Sequence, residues 1–155
     1  MAIEKVKAYF REHGMEERIQ EFDESSATVE LAAKALHCET QRIAKTLSFM
    51  LENGAVLIVA AGDAKIDNPK YKAKFGKKAK MLSMDEVETL VGHAVGGVCP
   101  FAVNESVKVY LDESLKRFDT VFPACGSSNS AIELTIPELE KYSGYVEWVD
   151  VCKGY

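Results

Sequence analysis

Lys45 is the first residue with a type and setting that could do chemistry. It lies in Arg42-Ile43-Ala44-Lys45-Thr46-Leu47, where a polar segment enters an apolar strand. A lysine there is either an edge charge or an anchor for an anion, since its ammonium is a compact cation on a flexible stem. A second candidate is Gly96-Gly97-Val98-Cys99-Pro100. Adjacent glycines let a backbone come close to a ligand and offer it N–H groups; they also make tight structural turns. A third is Gly126-Ser127-Ser128-Asn129-Ser130, another small-residue loop with backbone donors. Between the first two lies a basic run: Lys65, Lys70, Lys72, Lys74, Lys77, Lys78 and Lys80, with Asp67 the single acid among them. That window carries +6, and the remaining 12 basic and 23 acidic residues leave −11. Such asymmetry makes either a phosphate-attracting patch on an acidic protein or a solvated surface of lysine-rich turns.

Other chemistries lack their residues. No phosphate-binding G-x-x-x-x-G-K-[ST], no dinucleotide G-x-G-x-x-G after a strand and no H-E-x-x-H occurs. There is no G-x-S-x-G nucleophile elbow. His13, His37 and His93 are far apart; the first two each follow a helix, where a surface position suits the dipole. Cys38, Cys99, Cys125 and Cys152 form no C-x-x-C pair, so reduced thiols in a cytoplasmic protein and no metal site are expected. No apolar run approaches the ~20 residues of a membrane span, and the first residues lack a signal-peptide core. The 155 residues, 47% hydrophobic and 28% charged, exclude a disordered or low-complexity chain. One domain over 1–155 is expected, large enough to need no disulfide or metal.

The elements that must position these groups are legible in outline. Ile3, Val6 and Phe10 recur at helical spacing before Gly14, and residues 18–22 alternate as a strand. Thr28 caps an alanine-rich helix reaching about Leu36. Residues 45–51 and 55–61 flank Asn53-Gly54, the strongest local signal for a hairpin. The second arm is apolar on both faces and so is expected at the centre of a sheet. Asn68 is expected to cap a helix with Pro69 in its first turn and Gly76 at its end. Ser83 and Thr135 each open a capping box. Strands are expected at 107–111, 120–124, 131–134 and 146–149. Strands and helices mix without regular β-α-β alternation.

Taken in order, these pieces resemble the YbaK/EbsC family: free-standing trans-editing aminoacyl-tRNA deacylases and the editing insertion of bacterial prolyl-tRNA synthetases. The resemblance covers roughly Ala27 to Leu139. Its carriers are Ile43-Ala44-Lys45-Thr46-Leu47, Ala60-Ala61-Gly62-Asp63, Gly96-x-x-x-Pro100 with Phe101, Phe122-Pro123-Ala124-Cys125-Gly126-Ser127 and Ile132-Glu133-Leu134. It implies a mixed α/β (α+β) fold: a curved, largely antiparallel mixed sheet or partial barrel flanked by short helices. It implies hydrolysis of the ester between a wrong amino acid and the 3′-terminal adenosine of a tRNA, most often the proline tRNA. Editing is needed because one methylene separates amino acids by only ~1–3 kcal/mol.

On this resemblance Lys45, Gly96, Gly126 and Ser127 would be the catalytic positions. Thr46, Gly62, Asp63, His93, Gly97, Val98, Cys99, Pro100 and Ser128 would bind the substrate. Lys65, Lys70, Lys72, Lys74, Lys77, Lys78 and Lys80 would meet tRNA phosphates. Lys45 would hold the terminal phosphate or ribose, while Gly126 and Ser127 would hold the water or carbonyl oxygen from the other side. No cofactor is implied. The partners are aminoacyl-tRNA through its 3′ CCA end and prolyl-tRNA synthetase, with no membrane; the chain is expected as a monomer or weak homodimer. Alanine-editing relatives tend to read Gly-Ser-His where this chain has Gly126-Ser127-Ser128, which argues against alanine specificity. The alternatives are a non-catalytic tRNA- or nucleotide-binding module of the same fold and a synthetase-associated regulator.

Overall fold

The computed structural model describes residues 2–52 and 54–155. Its centre is a six-stranded curved sheet in the order β8-β6-β2-β3-β5-β9. The strands are β2 (Ile43–Leu51), β3 (Gly54–Ala61), β5 (Lys108–Asp112), β6 (Thr120–Pro123), β8 (Leu134–Thr135) and β9 (Glu147–Val149). The β2–β3 hairpin is an antiparallel ladder running from Ala44↔Ala61 to Leu51↔Gly54. It makes antiparallel pairing predominate, although β2–β6, β3–β5 and β5–β9 are parallel. Asn53 of the expected turn lies outside the described residues. Ala55–Ala61 of β3 are all buried, as an arm without a polar face requires.

Two smaller pairs complete the fold: β1 (Ile19–Glu21) with β7 (Ser130–Ile132), and β4 (Lys65–Ile66) with β10 (Cys152–Lys153). The run at 131–134 is thus two strands that change partner at Glu133, not one. Glu133 accepts from the Thr120 hydroxyl (2.7 Å) and pairs with Arg42 (3.2 Å), and β8 continues on β6.

The helices cover the sheet. In α1 (Ala2–Glu12), Ile3, Val6 and Phe10 are buried on one face. Thr28 accepts from the Leu31 N–H at the start of α2 (Val29–Leu36). α3 (Asn68–Phe75) is capped by Asp67, which accepts from Lys70 N–H at 3.1 Å; Asn68 is the first helical residue instead. Both are good caps, and the preceding residue wins because Pro69 fits either of the first two positions. α4 (Met84–Glu86) widens into a π-type turn at Val87–Val91 that ends at Gly92. Its free carbonyls at Thr89 and Leu90 accept from the Asn104 amide at 3.1 and 3.0 Å. α5 (Ile136–Ser143) carries the capping box of Thr135 and Glu138.

Glu138 also pairs with Arg18 at 2.7 Å, and that guanidinium draws its carboxyl down to about 2. A pKa depressed below the unfolded value of ~4.3 stabilises the fold above that value, and the contribution is lost as pH falls toward 2. Acid titration monitored by circular dichroism is therefore expected to show Glu138→Gln losing less stability than the parent between about pH 4.5 and 2. Equal pH dependence would contradict the pairing.

Candidate functional site

The outer edge of β2 is covered at two places and bare between them. Ile43 and Ala44 pair with Phe122 and Pro123 of β6. Further along, Ser48 O accepts from Leu82 N–H (3.2 Å) and Met50 N–H donates to Lys80 O (2.8 Å). Backbone groups on one edge alternate, so the outward-pointing set is Ala44, Thr46, Ser48 and Met50. Among the described residues, Thr46 is the member of that set with no backbone partner outside the hairpin. Its side-chain Oγ1 is buried and also unpartnered. An unmatched buried hydroxyl is costly, and a ligand group can match it.

This bare stretch opens onto a cavity of about 360 Å³. The segment leading into α2 (26–29) forms one wall; Met81, Leu82 and Met84 form another. Val95, Gly96 and Val98 of the glycine loop close a third side. The lining is mainly small and apolar, the pattern of a pocket for a small group fixed by few polar contacts.

Lys45 lines the same cavity, half-buried. Its ammonium donates to the carbonyls of Gly62 (3.4 Å) and Ala64, leaving one of three donors free. Burial lowers its pKa, but both neighbours are acceptors that favour the charged form. The residue is therefore a fixed cation rather than a free base. A Cβ on Gly62 would overlap the Thr40 carbonyl oxygen, so only glycine brings its carbonyl to Lys45.

The glycine loop is held by its own residues. Gly96 has φ +97°, which favours glycine. A Cβ on Gly97 would lie 2.6 Å from Ser127 N, so this loop and the 126–130 loop pack backbone to backbone. His93 is 1% exposed, and its Nε2 lies 2.8 Å from Phe101 O across the loop. That contact makes Nε2 the N–H donor, and burial lowers the pKa, so the ring is neutral.

Of the sequence-predicted site, Lys45, Thr46, Gly96 and Val98 meet in this cavity. His93, Gly97, Gly126, Ser127 and Ser128 instead line a second recess of about 510 Å³, which shares Val95 with the first. The Ser127 hydroxyl is taken up by Asn129 (2.9 Å) and Ser130 (2.7 Å). Gly62 acts through its carbonyl, while Asp63 pairs with Arg117 at 2.6 Å. Cys99 and Pro100 are buried and line neither cavity.

Sequence reasoning missed Ser26–Val29, Met81, Met84 and Val95, which carry no motif. All seven lysines are exposed. Lys70, Lys74 and Lys77 pair with Asp150, Glu147 and Glu52. Lys65, Lys72, Lys78 and Lys80 have no ion-pair partner among the described residues.

A family model described as the aminoacyl-tRNA editing domain matches residues 23–142. The chain belongs to that family. The match spans Lys45 and both loops, and within the family the editing domain here falls in the YbaK/EbsC group of trans-editing deacylases. It is 54% identical to an uncharacterized protein, YwhH, of Bacillus subtilis, covering 100% of this chain and 99% of that one. It is 30% identical, over 73% of this chain and 70% of the other, to EbsC of Enterococcus faecalis, a proposed Cys-tRNA(Pro)/Cys-tRNA(Cys) deacylase. A solved structure of a proposed trans-editing enzyme for prolyl-tRNA synthetase superposes with a TM-score of 0.87, at 29% identity, covering 99% of this chain and 98% of that one.

No thiol of this editing domain is poised for attack. Burial pushes Cys99 and Cys152 up to about 12 and Cys125 higher than an ordinary thiol. Cys38, half-exposed, is raised less. Alkylation of the native protein at about pH 8 is expected to modify Cys38 alone, and all four thiols after denaturation. Rapid native labelling of Cys99 would contradict this environment.

Proposed function

We infer that the protein hydrolyses the ester of mischarged tRNA in trans, on proline tRNA carrying a small wrong amino acid. The observation that carries this is the bare edge of β2 at Lys45–Leu47, facing the Gly96 turn across a small apolar cavity. The reaction needs donors where negative charge grows on the ester carbonyl, and these must be fixed before the substrate arrives. Lys45 has one free N–H, and Thr46 offers a backbone N–H and a hydroxyl. The apolar walls suit a short side chain, and about 360 Å³ leaves little room beyond the acyl group and its sugar.

The attacking group comes from water or from the substrate. Cys99 is held as a thiol, His93 is neutral and turned to Phe101, and the Ser127 hydroxyl is engaged by its own loop. The names of EbsC and of the solved relative point to the proline system, and prolyl-tRNA synthetase is the protein partner this reading adds. Single-turnover deacylation of proline tRNA charged in turn with alanine, serine, threonine, cysteine and proline identifies the acyl group removed. We expect at least one non-cognate ester to be lost and prolyl ester to persist.

Lys65, Lys72, Lys78 and Lys80, which have no ion-pair partner among the described residues, supply phosphate contacts. Filter binding of tRNA against salt is expected to give a log–log slope of about −2.8 to −3.6, from ~0.7–0.9 per phosphate contact. A flat dependence would remove the lysine cluster from the interface.

A further inference from the structure

We propose that Met81, Met84 and Val95 form a platform for the 3′-terminal adenine base, at the rim of the cavity that holds Lys45. The proposal rests on the editing reading and adds a base-binding subsite to it.

These three side chains are 62%, 71% and 55% exposed. Single exposed apolar residues are ordinary, but here three large ones share one rim. Their exposure is imposed by the fold. Met81 bridges to Phe49 of β2, and the flanking bonds at Lys80 and Leu82 fix the segment in the cavity lining. Met84 begins α4 directly after the Ser83 cap, which sets the helix start. Val95 immediately precedes the Gly96 turn and lines the same cavity.

The occupant must be flat, polarizable and joined to an anion. Thioethers make favourable contacts with aromatic rings and adapt to their shape. Lys80 immediately precedes Met81 and Lys78 lies two residues before that; both are exposed and have no ion-pair partner among the described residues. A base on the platform, its 5′-phosphate at Lys78–Lys80 and an acyl group in the cavity would account for the three substituents of an aminoacylated terminal ribose. An aromatic peptide side chain would satisfy the methionines but leave the lysines unmatched.

The test uses the full chain labelled with 13C at the methionine methyls, with assignments from Met81→Leu and Met84→Leu. Adenosine 5′-monophosphate is titrated in, with ribose 5-phosphate as the baseless control. We expect ring-current shifts at Met81 and Met84, none at buried Met15, and none with ribose 5-phosphate. No shift at either methyl at saturating nucleotide, or equal shifts with ribose 5-phosphate, would overturn the platform. Shifts that follow protein concentration and not nucleotide would seat a second copy there and overturn it equally.

On a hydrolysed charged tRNA, Met81→Ser/Met84→Ser is expected to raise KM roughly tenfold with kcat nearly kept, as loss of base stacking does. An unchanged KM would overturn the proposal. Because the nucleotide titration needs no turnover, the two readings fail separately. Methyl shifts without deacylation leave the platform and remove the editing reading; deacylation without shifts does the reverse.

Discussion

Replacing Lys45 with alanine is expected to slow ester hydrolysis by about a hundred- to a thousandfold, the usual cost of removing a preorganised donor. The ammonium is fixed before substrate arrives, because the Gly62 and Ala64 carbonyls take two of its donors and aim the third. The substitution leaves those two carbonyls unmatched, but Lys45 is only half-buried, so water can reach them and the fold should persist. Lys45→Met, which keeps the apolar stem, separates the effects: it should be as inactive as Lys45→Ala and melt close to the parent. Lys45→Arg should not restore the rate, since a planar fork does not fit a site built around a point charge. Hydrolysis within a few-fold of the parent in Lys45→Ala would remove this residue from the chemistry.

Gly62→Ala is expected to be the most damaging single-methyl change. Its Cβ would overlap the Thr40 carbonyl oxygen and sit 2.7 Å from Val29 Cγ1. Neither neighbour can yield cheaply. Thr40 begins the 3-10 turn that leads into β2, and Val29 begins α2, a wall of the cavity. Overpacking against backbone should cost at least about 3 kcal/mol. For a chain of this size that lowers Tm by roughly 6–12 °C. The surviving folded protein should also lose activity, because the displaced Gly62 carbonyl helps hold Lys45. A variant that melts with the parent would show that this contact is not tight.

What the sequence revealed was mostly local. The capping boxes at Ser83 and Thr135, the Thr28 cap and the apolar hairpin arms rest on neighbours within four residues, and each stands where expected. The cap expected at Asn68 falls one residue earlier, at Asp67, because Pro69 fits either of the first two helical positions and both residues are capping types. The switch at Glu133 has no local mark, since it depends on β1 and β6 competing for one segment. Lys45 and Thr46 were legible as candidates, yet the gap that exposes them was not. It exists because β6 and the Lys80–Leu82 segment arrive on β2 from distant parts of the chain and stop short of each other. The same non-local packing puts Gly126 and Ser127 in the second recess, backbone to backbone with Gly97.

The cavity beside Lys45 is where ester loss is expected to be catalysed. The most direct test is the single-turnover rate of ester loss from each non-cognate proline tRNA, against the same tRNA alone and with Lys45→Ala. At least one ester should be lost far faster than the spontaneous rate, with Lys45→Ala returning it nearly to that rate. Bound tRNA whose esters all decay at the spontaneous rate would contradict it and leave a binding module in its place.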